Sequence, residues 1–147
     1  MFTVYVAGPI AGPNADFRYR FDVALDRQLA LHGLPLTAVH VIHPGAVDTL
    51  GADPESRTEV YVAADLDSIR KADLVVAYLC ADEAGRGTSF EVGYAVASGR
   101  AVLPVVVGVA AMYSWRFALA AIPCHYASLD EAAHVVAYWA RQLGEAA

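Results

Sequence analysis

The chain has 147 residues, 57 % of them apolar, and a net charge of −6, which is room for one domain with a real core and not for two. One lysine and nine arginines that form no stripe argue against nucleic acid as a partner, although one arginine and a few backbone N–H groups suffice for a small substrate with a single phosphate. No run reaches the roughly 18 uninterrupted apolar residues of a membrane span; the longest, Ala101 to Met112, is broken by Pro104 and Gly108.

Val4-Tyr5-Val6-Ala7 reads as a short buried strand closed by Gly8-Pro9. Phe17 to Leu31 carries Phe17, Phe21, Ala24, Leu25 and Leu29 at helical spacing, and Gly33 ends it. Val39 to Ile42 is a second strand, followed by the long loop His43 to Arg57. Thr58 to Lys71 is a second helix with Val62, Leu66 and Ile69 as its inner stripe. Leu74 to Leu79 is a third strand, Thr88 to Gly99 a third helix and Ala101 to Val107 a fourth strand. Tyr113 to Ala121 reads as a short helix, Cys124 to Ala127 as an edge strand, and Ser128 to Leu143 as a final amphipathic helix.

Strands alternating with helices, and apolar on both faces, predict an α/β fold with a parallel sheet covered on both sides. The expected architecture is a flavodoxin-like three-layer sandwich with five strands in the order 2-1-3-4-5. In such sheets the site lies beyond the carboxyl ends of the strands, here the loops Gly8 to Asp16, His43 to Arg57 and Cys80 to Gly87. Met1 to Tyr5 starts in a strand pattern with no basic leader, and Cys80 and Cys124 have no metal-ligand spacing. Both features predict a cytoplasmic protein in a reducing compartment. The five histidines form no pair at metal-ligand spacing, and no metal or cofactor is expected.

Two acids break the apolar pattern. Asp65 falls on the stripe of the second helix, and Glu91 lies in phase with Val92, Ala95 and Gly99 on the third. A carboxylate is rarely buried without a partner or a task, since an unpaired interior charge is costly. The plainer alternative is that each acid caps a loop or edges its stripe. Glu91 is expected in the first turn of a helix after Gly85-Arg86-Gly87-Thr88, where the helix dipole would hold it as the anion. An ionised, partly desolvated carboxylate suits attack on an anomeric carbon. The glycines would let backbone approach a ligand, or the loop is a plain strand-to-helix turn capped by Thr88. Tyr5 would set a phenol near the carboxyl end of a central strand, either as a hydrogen-bond donor to an acid or as an ordinary core tyrosine.

The segments Val4-Tyr5-Val6-Ala7-Gly8-Pro9-Ile10, Asp65-Leu66-Asp67-Ser68-Ile69 and Gly87-Thr88-Ser89-Phe90-Glu91-Val92-Gly93-Tyr94-Ala95 resemble the nucleoside 2-deoxyribosyltransferase family, including the related deoxynucleoside 5′-monophosphate N-glycosidases. The resemblance implies one such domain over residues 1–147 and a covalent glycosyl-enzyme intermediate. It implies Glu91 as nucleophile, Asp65 as the acid that binds and protonates the base, and Tyr5 as the residue that orients the nucleophile. Where the transferases have a sugar-binding aspartate and the monophosphate hydrolases a serine, this chain has Gly85. Asp82 is then a candidate for the sugar hydroxyl, and Arg86 or Ser89 for a phosphate. The loop Gly8-Pro9-Ile10-Ala11-Gly12 would offer backbone N–H groups to that phosphate, with Arg18 or Arg20 nearby, and Gly87 and Thr88 line the same cleft. The family's asparagine after the fourth strand is missing between Val107 and Trp115.

The resemblance makes a transferase the first expectation, moving the sugar of a nucleoside to a free nucleobase. The second is a hydrolase that uses the same residues on a nucleoside 5′-monophosphate. The third is a non-catalytic nucleotide sensor, which would gain nothing from two carboxylates facing an electron-rich base. A dinucleotide enzyme is disfavoured because Gly8 and Gly12 lack the G-x-G-x-x-G spacing. The cluster around Tyr113, Trp115, Arg116 and Phe117 predicts a homo-oligomer, dimer or larger, since exposed apolar patches mark contact surfaces.

Overall fold

The structure, a computed structural model, describes residues 1–9, 13–44, 58–81 and 86–146, the side chains of 58–61, 86 and 146 aside. Four strands form a parallel sheet: β1 (Phe2–Ala7), β2 (Val39–Ile42), β3 (Leu74–Leu79) and β4 (Ala101–Val106). Their order is β2-β1-β3-β4. The helices are α1 (Phe17–Leu31), α2 (Thr58–Lys71), α3 (Arg86–Ala97), α4 (Val109–Ser114), α5 (Arg116–Ala120) and α6 (Leu129–Ala146). None is long and apolar enough to cross a membrane.

The period of two along each strand sorts the core into two layers. Val4, Val6, Leu74, Val76 and Tyr78 face α1 and α6, where they meet Phe17, Phe21, Leu25, Leu29, Val136 and Ala137. Tyr5, Ala7, Val75, Ala77 and Leu79 face α2 and α3, against Ile69, Val92 and Ala95. β1 and β3 are therefore apolar on both faces, as a covered parallel sheet requires. Asp73 fixes their register: its carboxylate accepts from the Thr3 N–H at 2.8 Å, and its own N–H donates to the Thr3 carbonyl at 2.8 Å. Gly99 ends α3 at φ +72°, where the Arg100 N–H returns to the Ala95 carbonyl at 2.9 Å, an ending that favours a residue without Cβ.

Among the described residues the sheet has four strands where five are expected. The segment Cys124 to Ala127 makes only one parallel bridge, Val105 with Tyr126. The Val106 N–H donates to the Tyr126 carbonyl and the Tyr126 N–H to the Pro104 carbonyl. Beyond Tyr126 the pairing ends because the Ala127 N–H turns to the Glu131 carboxylate at 2.9 Å, while Ser128 Oγ accepts from the Glu131 N–H at 3.2 Å. This reciprocal cap starts α6 and pulls the chain off the sheet edge. The helix expected over Tyr113 to Ala121 is likewise two short ones, α4 and α5, broken at Trp115. There the indole N–H is tied to the Cys80 carbonyl at 2.8 Å.

α1 leaves β1 toward one face, whereas α2 and α3 cover the other. The carboxyl ends of β1 and β3 thus border a topological switch point, where α/β sheets open a crevice. The turn into α1 is tight: a Cβ on Gly8 would lie 2.5 Å from Phe17 Cζ and 2.8 Å from Cε1. The Phe17 ring cannot yield, because it is fully buried and stacked on Tyr78, centroids 5.0 Å apart at 7°. Gly8→Ala is expected to cost about 1–3 kcal/mol by overpacking and to lower the melting temperature by several degrees in a thermal melt. A melting temperature equal to wild type would mean the turn has room to shift.

Candidate active site

Tyr5, Asp65 and Glu91 come from three elements and meet on one side of the sheet. Tyr5 is fully buried in β1, the second strand of the sheet order. Its phenol points to the layer of α2 and α3 because residues 4 and 6 take the other layer. Glu91 and Asp65 are half-buried on α3 and α2. The Tyr5 hydroxyl and Glu91 Oε2 are buried atoms, and neither has a hydrogen bond of good geometry. The two groups nevertheless lie close enough to weigh on each other's proton affinity.

Burial pushes the Glu91 carboxyl up to about 7, repulsion from Asp65 adds to it, and the Tyr5 hydroxyl and the Arg18 charge pull the other way. Burial also raises the Tyr5 phenol, with Glu91 and Asp65 adding to the shift and Arg18 opposing it. Tyr5 is therefore a neutral donor at any working pH. A half-desolvated carboxylate, a phenol donor and a second acid form a set able to attack an electrophilic carbon and to protonate a leaving group.

Two expectations about this set need correction. α3 begins at Arg86, not Thr88, so Glu91 stands in the second helical turn and not in the first. The helix terminus does not hold it as the anion, and its proton affinity is raised by burial, not lowered. The second concerns the inner stripe of α2: Ile69 is fully buried, but Val62 is 39 % exposed. The stripe therefore reaches the core at Ile69 and in part at Leu66, and leaves it at Val62.

The other sequence candidates fall in several places. Gly8 and Pro9 are buried in the β1–α1 turn, and the close approach at Gly8 is to the Phe17 ring. Thr88 is buried inside α3, while Gly87 and Ser89 are exposed. Ile10, Asp82, Gly85 and the Arg86 side chain lie outside the described residues. His43, at the carboxyl end of β2, pairs through Nε2 with the Asp22 carboxylate at 3.1 Å.

Arg18 is the residue that sequence reasoning undervalued, naming it only beside Arg20 as a cation near a phosphate. The structure separates the two. Arg20 is occupied: it lies 3.3 Å from Asp16, reaches the Tyr78 hydroxyl at 3.4 Å and covers the Tyr78 ring. Arg18 turns inward, its charge acts on both Tyr5 and Glu91, and Nε and Nη2 are buried without a partner. One signal was available: a cation in the first turn of a helix opposes the helix dipole.

The sequence model of the family described as nucleoside 2-deoxyribosyltransferase matches residues 4–137. The chain belongs to this family. It is accordingly an enzyme, an N-glycosyl transferase or N-glycosidase. Among solved structures it is similar to a 2-deoxyribosyltransferase from Bacillus psychrosaccharolyticus, at 14 % identity and a TM-score of 0.63 over 89 % of this chain and 90 % of that one. It is similar to a CMP N-glycosidase from Clostridium botulinum, at 18 % identity and a TM-score of 0.54 over 93 % and 98 %. A conserved protein from Enterococcus faecalis aligns at 22 % identity and a TM-score of 0.55 over 97 % and 99 %. At these identities the likeness is one of fold. No curated protein matches the chain by sequence.

Proposed function

We propose that this family member is a nucleoside 2-deoxyribosyltransferase, a single domain over residues 1–147, working through a covalent glycosyl-Glu91 intermediate. The observation that carries the reading is the buried, unsatisfied Oε2 of Glu91, within electrostatic reach of Tyr5 and Asp65. An Oε atom of Glu91 attacks C1′ as the C1′–N bond breaks and its electron pair passes to the base. Asp65 gives the departing base its proton. Tyr5 donates toward the carboxylate and keeps it aimed. In the second half, a nitrogen of another free base attacks C1′, the C1′–O bond to Glu91 breaks, and Asp65 recovers a proton. Neither half needs a metal or cofactor.

Incubation of the protein with one deoxynucleoside and a different free base tests the reading. The swapped nucleoside should appear, because the intermediate is captured by base. Free sugar alone would show that water resolves the intermediate and that the enzyme is a hydrolase. The reaction uses small soluble reactants, consistent with a cytoplasmic enzyme that binds neither membrane nor nucleic acid.

The same reading includes a homo-oligomer, dimer or larger. Val107, Val109, Tyr113 and Phe117 are 55–93 % exposed along the segment after β4, more apolar surface than a lone turn and two short helices usually leave to water. Trp115 is held by its own chain at Cys80, which makes Phe117 the better probe. Phe117→Asp is expected to convert the assembly to a 15.6 kDa particle in light scattering. A wild-type protein already of that mass would remove the oligomer.

A further inference from the structure

We infer that Trp115 is a positioning residue for the proposed chemistry at Glu91, its indole N–H fixing the carboxyl end of β3, from which the chain leaves for α3. The inference rests on the N-glycosidic reading of that site and adds to it a residue that acts through the scaffold and not on the substrate. Cys80 is the first residue past the last β3–β4 pair, Leu79 with Val106. Where the ladder stops, the Trp115 Nε1–H takes over and donates to the Cys80 carbonyl at 2.8 Å. A tryptophan has one donor on a rigid ring, so turning that donor inward demands a partner and fixes the ring once the partner is found. The strand end and the ring thus hold each other.

Two further observations tie this bond to the site. Ala111, Met112, Trp115, Leu119 and Ile122 form the inner side of α4 and α5 and pack into the layer that holds Tyr5, Leu79 and Val92. Val92 follows Glu91 on α3, so the ring braces the same apolar layer on which the Glu91 turn rests. The chain also gives up a continuous helix at this residue. α4 ends and α5 begins at Trp115, φ −103° and ψ 12°, with no proline or glycine anywhere from Val109 to Ala121. The break therefore lacks the usual backbone causes and falls on the one residue that reaches Cys80. Its aromatic neighbours Tyr113 and Phe117 point outward, 67 % and 93 % exposed, whereas Trp115 turns in. An error in the placement of a reacting group is expensive: a shift of about 1 Å, even from a change far from the chemistry, costs on the order of 10²-fold in rate.

The test compares Trp115→Phe, which keeps an aromatic ring without the N–H, with Trp115→His, whose Nε2–H can stand where the indole N–H stands. In both five-membered rings that nitrogen lies two bonds from Cγ. In Trp115→Phe, kcat on a deoxynucleoside should fall by about 10- to 10²-fold while KM changes only a few-fold. The acid limb of the kcat/KM profile should move to lower pH. Burial, ahead of Asp65, Tyr5 and Arg18, is the largest influence on the raised Glu91 carboxyl, and a loosened layer admits water. Trp115→His fills less space, so it should melt below Trp115→Phe and yet turn over faster. A merely structural ring would give losses that track the melting temperature and leave the acid limb in place. Wild-type kcat and acid limb in Trp115→Phe, or activity no higher in Trp115→His than in Trp115→Phe, overturn the inference. So does a loss that follows a fall in particle mass in light scattering, which would make the ring an assembly residue. Failure of the Glu91 reading looks different: the wild type then cleaves no nucleoside, or Glu91→Gln stays active, and Trp115 has no such site to position.

Discussion

Glu91→Gln is expected to abolish turnover and, above pH 7, to make the protein more stable than wild type. The amide keeps the shape of the carboxylate and removes its charge and nucleophilicity, so the loss in kcat should reach at least about 10³-fold. Activity above a few per cent of wild type would remove Glu91 as nucleophile. A slow-leaving 2-fluoro sugar substrate should leave a mass adduct on the Glu91 peptide of the wild type and none on the variant. The pH dependence follows from the raised proton affinity. The attacking group must be the anion, and the carboxyl sits at about 7 in the folded chain, so the acid limb of the kcat/KM profile should have its midpoint near pH 7. The stability effect has the same origin. A carboxyl raised from 4.5 to about 7 on folding binds its proton more tightly folded than unfolded, so its contribution is full below pH 4.5 and is lost as the pH climbs through 7. Full conversion of that shift gives about 3 kcal/mol, and partial solvent access brings the expected gain of Glu91→Gln nearer 2. Melts of both proteins should coincide near pH 4 and separate between pH 4.5 and 7. A gap independent of pH would mean that the carboxyl is not perturbed by burial.

That coupling of stability to function explains why parts of the site were legible in the sequence. Glu91 and Tyr5 announce themselves because each breaks an otherwise apolar repeat, and a two-fold or 3.6-fold period states which side of an element is inside. The boundaries of α1, α2, β2 and β3 follow from the same periods together with Gly33 and Asp73. What the period cannot state is depth along an element. Val62 and Ile69 share a stripe, yet Ile69 is fully buried while Val62 is 39 % exposed. The start of α3 depends on where the preceding loop turns, which moved Glu91 from a helix end into the second turn. The fifth strand failed for a local reason: the Ser128 and Glu131 cap competes for the backbone that a longer strand would use. Arg18 stood out no more than Arg20, because the burial of its Nε and Nη2 depends on a side-chain direction that no one-dimensional pattern carries.

Asp65→Asn should cost on the order of 10²- to 10⁴-fold in rate on ordinary substrates, the usual range for loss of a positioned proton donor. The expectation has a second part that tells a proton donor from a binding residue. Asp65 is half-buried on α2, and its charge is the second largest contribution to the Glu91 proton affinity. Removing that charge should lower the Glu91 carboxyl and move the acid limb of the kcat/KM profile to lower pH. The nucleophile then becomes easier to ionise while turnover falls, because the base must leave without a proton. Substrates whose base is already a good anion should therefore lose far less than ordinary ones. Asp65→Ala would reproduce both effects if the carboxylate acts through its proton and charge, whereas a helix-surface acid would show neither. The decisive measurement is the ratio of losses on activated and ordinary bases across pH. Equal losses with an unmoved acid limb would leave Asp65 as a residue that binds the base and nothing more.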